Sequence, residues 1–292
     1  GQANIVRQQG LICTQYWNEI GISQYDNATL NPARYDENVR REMAMATNTD
    51  YIVNTIYNGR GERGADIMTP ITPQWFFDPT KTPGVNLTYS ISAANALLDQ
   101  AGYTGRWVDS TGTQYRMAAH DITFNDTNGI VRTVPAGTHL EFTMDVRQEF
   151  LQEQSTAKYL TAEWARVGIK LDVTVKLETA VSTDVFGGAV DTYIWYWSGD
   201  PDPNYLLSIQ SKYTLDGWND NFWNNTTYND LYTRQLADFD PAQRKADVLA
   251  AQSVHYNSSV YIIYIYPYGE WAWRTDRFSG WGDWNAHPYR QM

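Results

Sequence analysis

The stretch that most constrains this sequence is a helix-to-strand passage near its middle. From about Gln148 to Val167 the residues suit one long helix, and Gly168 stops it. Directly after it, Ile169, Leu171, Val173, Val175 and Leu177 set an apolar side chain at every second position, the period of a strand with one buried face. The preceding strand, LEFTMDV, alternates in the same way through Leu140, Phe142, Met144 and Val146. Strands and helices that alternate along a chain bury the strands in a sheet and lay the helices on its faces. The expected fold class is therefore α/β (α+β), with a mixed sheet flanked by helices.

Other segments extend the pattern. Asp36 suits the N-cap of a helix over DENVRREMAMAT, with Val39, Met43 and Ala46 on one face and Arg40 and Arg41 off it. Asp50 is expected to cap YIVNTIYN, ending at Gly59. Residues 59–89, rich in Gly, Pro and Thr, predict a long loop, and Ser92 a new helix that Gly102 closes. Turn signals at Asp109–Gly112 and Asp126–Gly129 bracket weak strands, and GLICTQYW is a possible strand. VDTYIWYW predicts a strand running into the turn SGDPDP. Helices over about 228–237 and 241–256 follow, the second with Asp240 as N-cap and Pro241 at its first position, and then the strand VYIIYIYP.

Charge and composition remove several functions. With 22 basic against 33 acidic residues and a net charge of −11, nucleic acid is not an expected partner. The single cysteine, Cys13, excludes an intrachain disulfide and a cysteine-rich zinc site. His120, His139, His255 and His287 lack ligand spacing, so neither a metal nor another cofactor is expected. No nucleophile elbow, P-loop, HExxH or dinucleotide fingerprint is present, so the chain is not read as an enzyme. Aromatic content is high, with 12 Trp, 21 Tyr and 9 Phe, and such rings serve either as core or as ligand walls. On residues alone, Asp200 reads as a turn-capping aspartate, and Asp202, before Pro203, as a turn or helix start. Trp195 and Trp197 share one face of their strand and Tyr196 takes the other; which face is core stays open.

Five segments in order resemble the periplasmic oligopeptide- and dipeptide-binding proteins of ABC importers, extracellular solute-binding protein family 5. They are DENVRREMAMATNTDYIVNTIYNGRG, SAANALLDQAGYT, TAEWARVGIKLDVTV, WSGDPDPNYLL and TYNDLYTRQLADFDPAQRKADVLAAQSVHY. The resemblance implies the second lobe of a longer protein, a periplasmic-binding-protein-like type II lobe. Residues 1–30 would then be a hinge or crossing segment from a missing first lobe. Residues 31–261 would be the ligand-binding lobe, and 262–292 returning hinge strands and tail. It implies an extracytoplasmic receptor, in the periplasm or as a cell-surface lipoprotein, that delivers a small solute to a membrane ABC permease. The signal segment of such a protein is absent from GQANIVRQQG.

The resemblance also implies roles for the SGDPDP turn. Asp200, at the carboxyl end of its strand, would hold a peptide's amino terminus, as a buried ammonium needs a carboxylate. Trp197 would pack against ligand or hinge, and Ser198 and Gly199 belong to the expected binding set, with backbone groups open to an extended ligand. One departure concerns the ligand's other end: FGGAVDTYIWYW holds no Lys or Arg to grip a carboxylate. Because the family includes sugar receptors, an oligosaccharide is the alternative solute, with Trp218, Trp223, Trp271, Trp273, Trp281 and Trp284 as stacking candidates; for the last four, core or interface is the leading reading. From other classes, a carbohydrate-active enzyme or binding module, or a plain interaction domain with an aromatic interface, are the alternatives.

Overall fold

Residues 5–11, 15–82, 87–215, 217–274 and 276 are described by a computed structural model. Three strands come first, β1 (Ile5–Leu11), β2 (Gln15–Ile22) and the short β3 (Gly61–Arg63). Two hairpins follow: β4 (Gly105–Val108) with β5 (Gln114–Met117), and β6 (Ile122–Asn125) with β7 (Val131–Val134). The sheet is then built by β8 (Glu141–Arg147), β9 (Lys170–Lys176), β10 (Thr192–Gly199) and β11 (Tyr261–Pro267), and β12 (Gly269–Arg274) ends the series. Six strands in the order β3-β11-β2-β10-β8-β9 form one mixed sheet. The helices are α1 (Glu37–Met45), α2 (Thr49–Tyr51, continued as a π-turn over Ile52–Ile56), α3 (Ile91–Gln100) and α4 (Leu151–Ala165). After them come α5 (Glu178–Phe186), α6 (Pro203–Ile209), α7 (Thr226–Ala237) and α8 (Pro241–Ser258).

The helix-to-strand passage around Gly168 forms the parallel part of this sheet. β8 and β9 pair in parallel from Glu141↔Lys170 to Arg147↔Lys176, joined by α4. Gly168 leaves that helix at φ +85°, a conformation that favours glycine. The alternating residues Phe142, Met144, Val146, Ile169 and Leu171 are buried beneath α1, α3 and α4, in a core that includes Ile20, Ile22, Ile194, Leu160 and Trp164. The alternation in β9 outruns its cover: Val175 and Leu177 are 47% and 55% exposed at the sheet's edge.

The opposite face packs Trp17, Tyr261 and Ile263 against Leu206, Leu207, Tyr228 and Val248 of α6, α7 and α8. Register assigns these faces, since β10 pairs antiparallel with β2 along its whole length, from Thr192↔Ile22 to Gly199↔Gln15. Trp195, Trp197 and Trp17 therefore share the second face, and Tyr196 takes the first, beside Tyr16 at 5.5 Å between centroids. β2, inside the segment 1–30, is a central strand with Trp17, Ile20 and Ile22 buried. β1 and β12 form a separate antiparallel ribbon, one preceding β2 and the other following β11.

Several local expectations shift by a few residues. Asp36 caps α1 as read, accepting from the Asn38 N–H. Arg40, off the apolar face, is nonetheless fully buried, because its guanidinium serves the carbonyls of Arg34, Tyr35 and Ser258 at 2.8–2.9 Å. Asn48 rather than Asp50 caps α2, and Ser90 rather than Ser92 caps α3, each side chain accepting from the N–H three residues on. The loop 59–89 holds the edge strand β3 and a 3-10 turn at Pro79–Lys81. The helix α5, with only Val181 and Val185 buried, is an addition, whereas α6 starts where Asp202 before Pro203 allowed a turn or a helix.

Candidate functional site

In open α/β sheets, ligand crevices lie beyond the carboxyl ends of the parallel strands. Here that edge is formed by Arg147, Lys176 and the end of β10. β10 outruns its parallel neighbour: β8 pairs with it only at Thr192↔Met144 and Tyr193↔Asp145. From Trp195 onward, among the described residues, no strand pairs with that side of β10. Its backbone groups there suit addition of an extended segment.

The four residues singled out in sequence follow one another along this end. Trp197 is half-buried, Ser198 exposed, Gly199 half-buried and Asp200 exposed. Among the described residues Asp200 has no hydrogen-bond or ion-pair partner. Asp202 is engaged within the fold. Its Oδ1 accepts from the Asn204 N–H at 2.9 Å as N-cap of α6, and both its oxygens accept from Arg244 Nη2 at 2.9 and 3.0 Å. The turn therefore holds one structural and one uncommitted carboxylate.

One aromatic ring neighbours the uncommitted carboxylate, and a second stands next to that ring. Tyr205, on the first turns of α6, lies near Asp200; partial burial and then that carboxylate's charge raise its phenol's pKa. Its ring stands 6.1 Å from that of Trp218, which is 45% exposed and donates from Nε1 to Ser208 Oγ at 3.2 Å. Trp223, a stacking candidate in sequence, is fully buried against Tyr228 and His255, since the loop before α7 turns it into the core. The side chains of Trp271 and Trp273, and all of Trp281 and Trp284, lie outside the described residues.

Cations at the same edge are already engaged. Arg147 is buried, bonded to Glu153 and, at 3.1 Å, to Glu178, with its guanidinium over Phe150, Trp195 and Tyr196 at 4.1–5.0 Å. Burial works against its charge, yet the bond and charge of Glu153 raise its pKa. Lys176 is held by Asp145 and Asp184 at 2.8 and 2.7 Å. Neither cation is free to grip a ligand carboxylate, in keeping with the absence of Lys and Arg from FGGAVDTYIWYW.

Two residues escaped the sequence reading. Tyr205 was legible in principle, because Asp202-Pro203 starts a helix and fixes its first turn beside the SGD turn. Asp220 was not: it lies 23 residues from Trp197, whose Nε1 donates to its Oδ2 at 3.1 Å. No local pattern signals that bond. Elsewhere, a concavity of about 510 Å³ lined by Arg63, Phe76, Asp78, Thr80 and Tyr256 shares no residue with the end of β10. Among the described residues no group of three or more His, Cys, Asp or Glu is placed to hold a metal ion.

Comparison with known proteins gives this geometry its context. The family profile described as bacterial extracellular solute-binding proteins, family 5 Middle, matches residues 9–218. The di/tripeptide-binding protein 1 of Pseudomonas aeruginosa is 25% identical over 197 residues, 66% of this chain and 30% of that protein. A probable ABC transporter-binding protein of Deinococcus radiodurans is 26% identical over 275 residues, 87% of this chain and 42% of its own length. The chain thus spans less than half the length of these relatives. Among solved structures, the oligopeptide-binding protein AppA of Bacillus subtilis, in complex with a nonapeptide, superposes with a TM-score of 0.75 at 17% identity, over 98% of this chain and 50% of that one. NikZ of Campylobacter jejuni, in complex with Ni(L-His), does so with 0.69 at 15% identity, over 94% and 49%. The fold of this chain is the one these solute-binding structures contain.

Proposed function

Since this chain belongs to the bacterial extracellular solute-binding proteins of family 5, we propose that it forms one wall of a peptide-binding cleft, with Asp200 pairing the ligand's ammonium. The observation that carries this reading is an exposed carboxylate without a partner among the described residues, at the carboxyl end of β10 beside a strand edge left open. An ammonium seated there gains a charge-assisted bond, worth roughly 1.5–3 kcal/mol. Trp197, Ser198 and Gly199 supply the adjoining wall and backbone groups. The Pseudomonas relative, a di/tripeptide-binding protein by name, supports a short peptide as the solute.

On this reading the protein is a receptor and not an enzyme. A first lobe outside this sequence closes over the ligand, and the closed form docks on a membrane permease outside the cytoplasm. The β1–β12 ribbon carries the chain to and from that lobe, because β2 begins and β11 ends at the end of the sheet where β10 terminates. A second reading, an oligosaccharide ligand, draws on the Tyr205–Trp218 pair beside Asp200, a surface suited to stacking on a sugar face.

The test is ligand-dependent melting of the full-length protein, wild type beside Asp200→Ala, against short peptides and oligosaccharides. Ligand at a hundredfold excess over Kd adds about 2.7 kcal/mol. Peptides are expected to raise Tm in the wild type and lose that effect in the variant. Sugars stabilising both proteins alike would instead assign recognition to the aromatic pair.

A further inference from the structure

On the face of the sheet that carries Trp17, Trp195 and Trp197, two buried acids lie close together. Glu19, at the centre of β2, has no exposed surface, and among the described residues neither of its carboxyl oxygens has a partner at hydrogen-bond geometry. Asp220, in the loop between α6 and α7, is equally buried but well supplied: Trp197 Nε1 donates to Oδ2 at 3.1 Å and the Tyr261 hydroxyl donates to Oδ1. Hydrogen-bond donors favour the ionised form, and bare burial favours the protonated one. Of two interacting acids, Asp220 therefore takes the charge and Glu19 keeps the proton.

An indole has a single N–H, so whatever accepts from it sets the direction of the ring. We propose that Asp220 is a positioning residue: its carboxylate orients the Trp197 indole at the ligand end of β10, and its protonation loosens that ring and weakens ligand binding. The inference rests on the reading of Trp197 as a ligand residue given above.

The groups facing Asp220 come from three strands. They are Glu19 on β2, Tyr193 and Trp197 on β10, and Tyr261 on β11. Behind Tyr261 stands His255 of α8, edge-on at 5.3 Å and paired with Asp66, and from the far side Arg147 and Glu153 act on Glu19. Burial, tempered by its donors, pushes the Asp220 carboxyl up to about 6. Above that pH the indole bond is charge-assisted, and below it the bond is a neutral one of roughly half the strength.

The experiment records the ¹⁵N-indole spectrum of the 292-residue chain across this pH range, with Trp197→Phe identifying the Trp197 signal. The expected result is a signal that titrates near pH 6 in the wild type and in Asp200→Ala, and is pH-independent in Asp220→Asn. Should Asp220→Asn fail to fold, Tyr261→Phe decides. It removes one donor from the anion, so the midpoint moves to higher pH. In the full-length protein, dialanine affinity is expected to fall roughly tenfold when Asp220 loses its charge, by mutation or by pH. An indole signal indifferent to pH and to both substitutions, or dialanine affinity unchanged as Asp220 protonates, overturns the proposal. If the indole titrates as expected but dialanine binds wild type and Asp200→Ala equally, the amine-pairing role of Asp200 fails and the positioning role stands.

Discussion

The substitution Gly21→Ala tests the register on which the site depends. In β2, Gly21 lies opposite Tyr193 of β10, and the tyrosine ring occupies the space a side chain would need. A Cβ at position 21 would stand 2.2 Å from Cζ and 2.4 Å from Cε2 of that ring. Tyr193 is fully buried between the sheet and α5, so it has nowhere to swing. Overpacking of this kind costs up to about 3 kcal/mol. Alanine recovers about 0.5–1 kcal/mol of the backbone entropy that glycine costs in a strand. The net loss is then about 2 kcal/mol, or roughly 4–8 °C in Tm for a chain of this size. Urea unfolding of the single and double variants gives the coupling. Tyr193→Ala costs about 3–5 kcal/mol by itself, but in that background Gly21→Ala is expected to be neutral or stabilising. Equal cost of Gly21→Ala in both backgrounds would refute the reasoning. It would also refute the register, since a one-residue slip carries Trp197 to the other face.

Other outcomes follow from the same geometry. Asp220 titrates near 6 in the fold against 3.8 for an ordinary aspartate, so the native state holds its proton longer than the unfolded chain does. Its contribution to stability is full below about pH 4 and is lost, by about 3 kcal/mol, as pH rises through 6; the difference in unfolding free energy between wild type and Asp220→Asn should trace that slope. Arg147→Met strands the buried Glu153 and is expected to cost about 3–5 kcal/mol in chemical denaturation, most of it recovered in Arg147→Met/Glu153→Leu. Asp202→Ala removes a helix cap and should lower stability by about 1 kcal/mol while leaving the ligand response intact, whereas Asp200→Ala should do the reverse.

Much of this fold is legible because its signals are local. The alternation from Leu140 to Val146, the stop at Gly168, and the caps at Asp36 and Asp240 each depend on residues within one turn or strand. Asn48 and Ser90 outcompete Asp50 and Ser92 as caps because the helices begin earlier than their apolar patterns do. The site was legible only in part. SGDPDP names two aspartates, but only the partners of Asp202, the Asn204 N–H and Arg244, separate a capping carboxylate from an uncommitted one. The buried state of Trp223 and the bond from Trp197 to Asp220 are long-range facts of packing. A composition rich in aromatics gives no hint of which ring is core and which is wall.

The central claim is that Asp200 pairs a ligand ammonium, and acetylation of that amine tests it most directly. Titration calorimetry of the full-length protein would compare dialanine with N-acetyl-dialanine, in wild type and in Asp200→Ala. A charge-assisted bond of about 1.5–3 kcal/mol corresponds to roughly ten- to a hundredfold in Kd. The expected result is a loss of that size from either change alone and little further loss from the two together. Equal affinity of the wild type for the free and the acetylated peptide would contradict the claim.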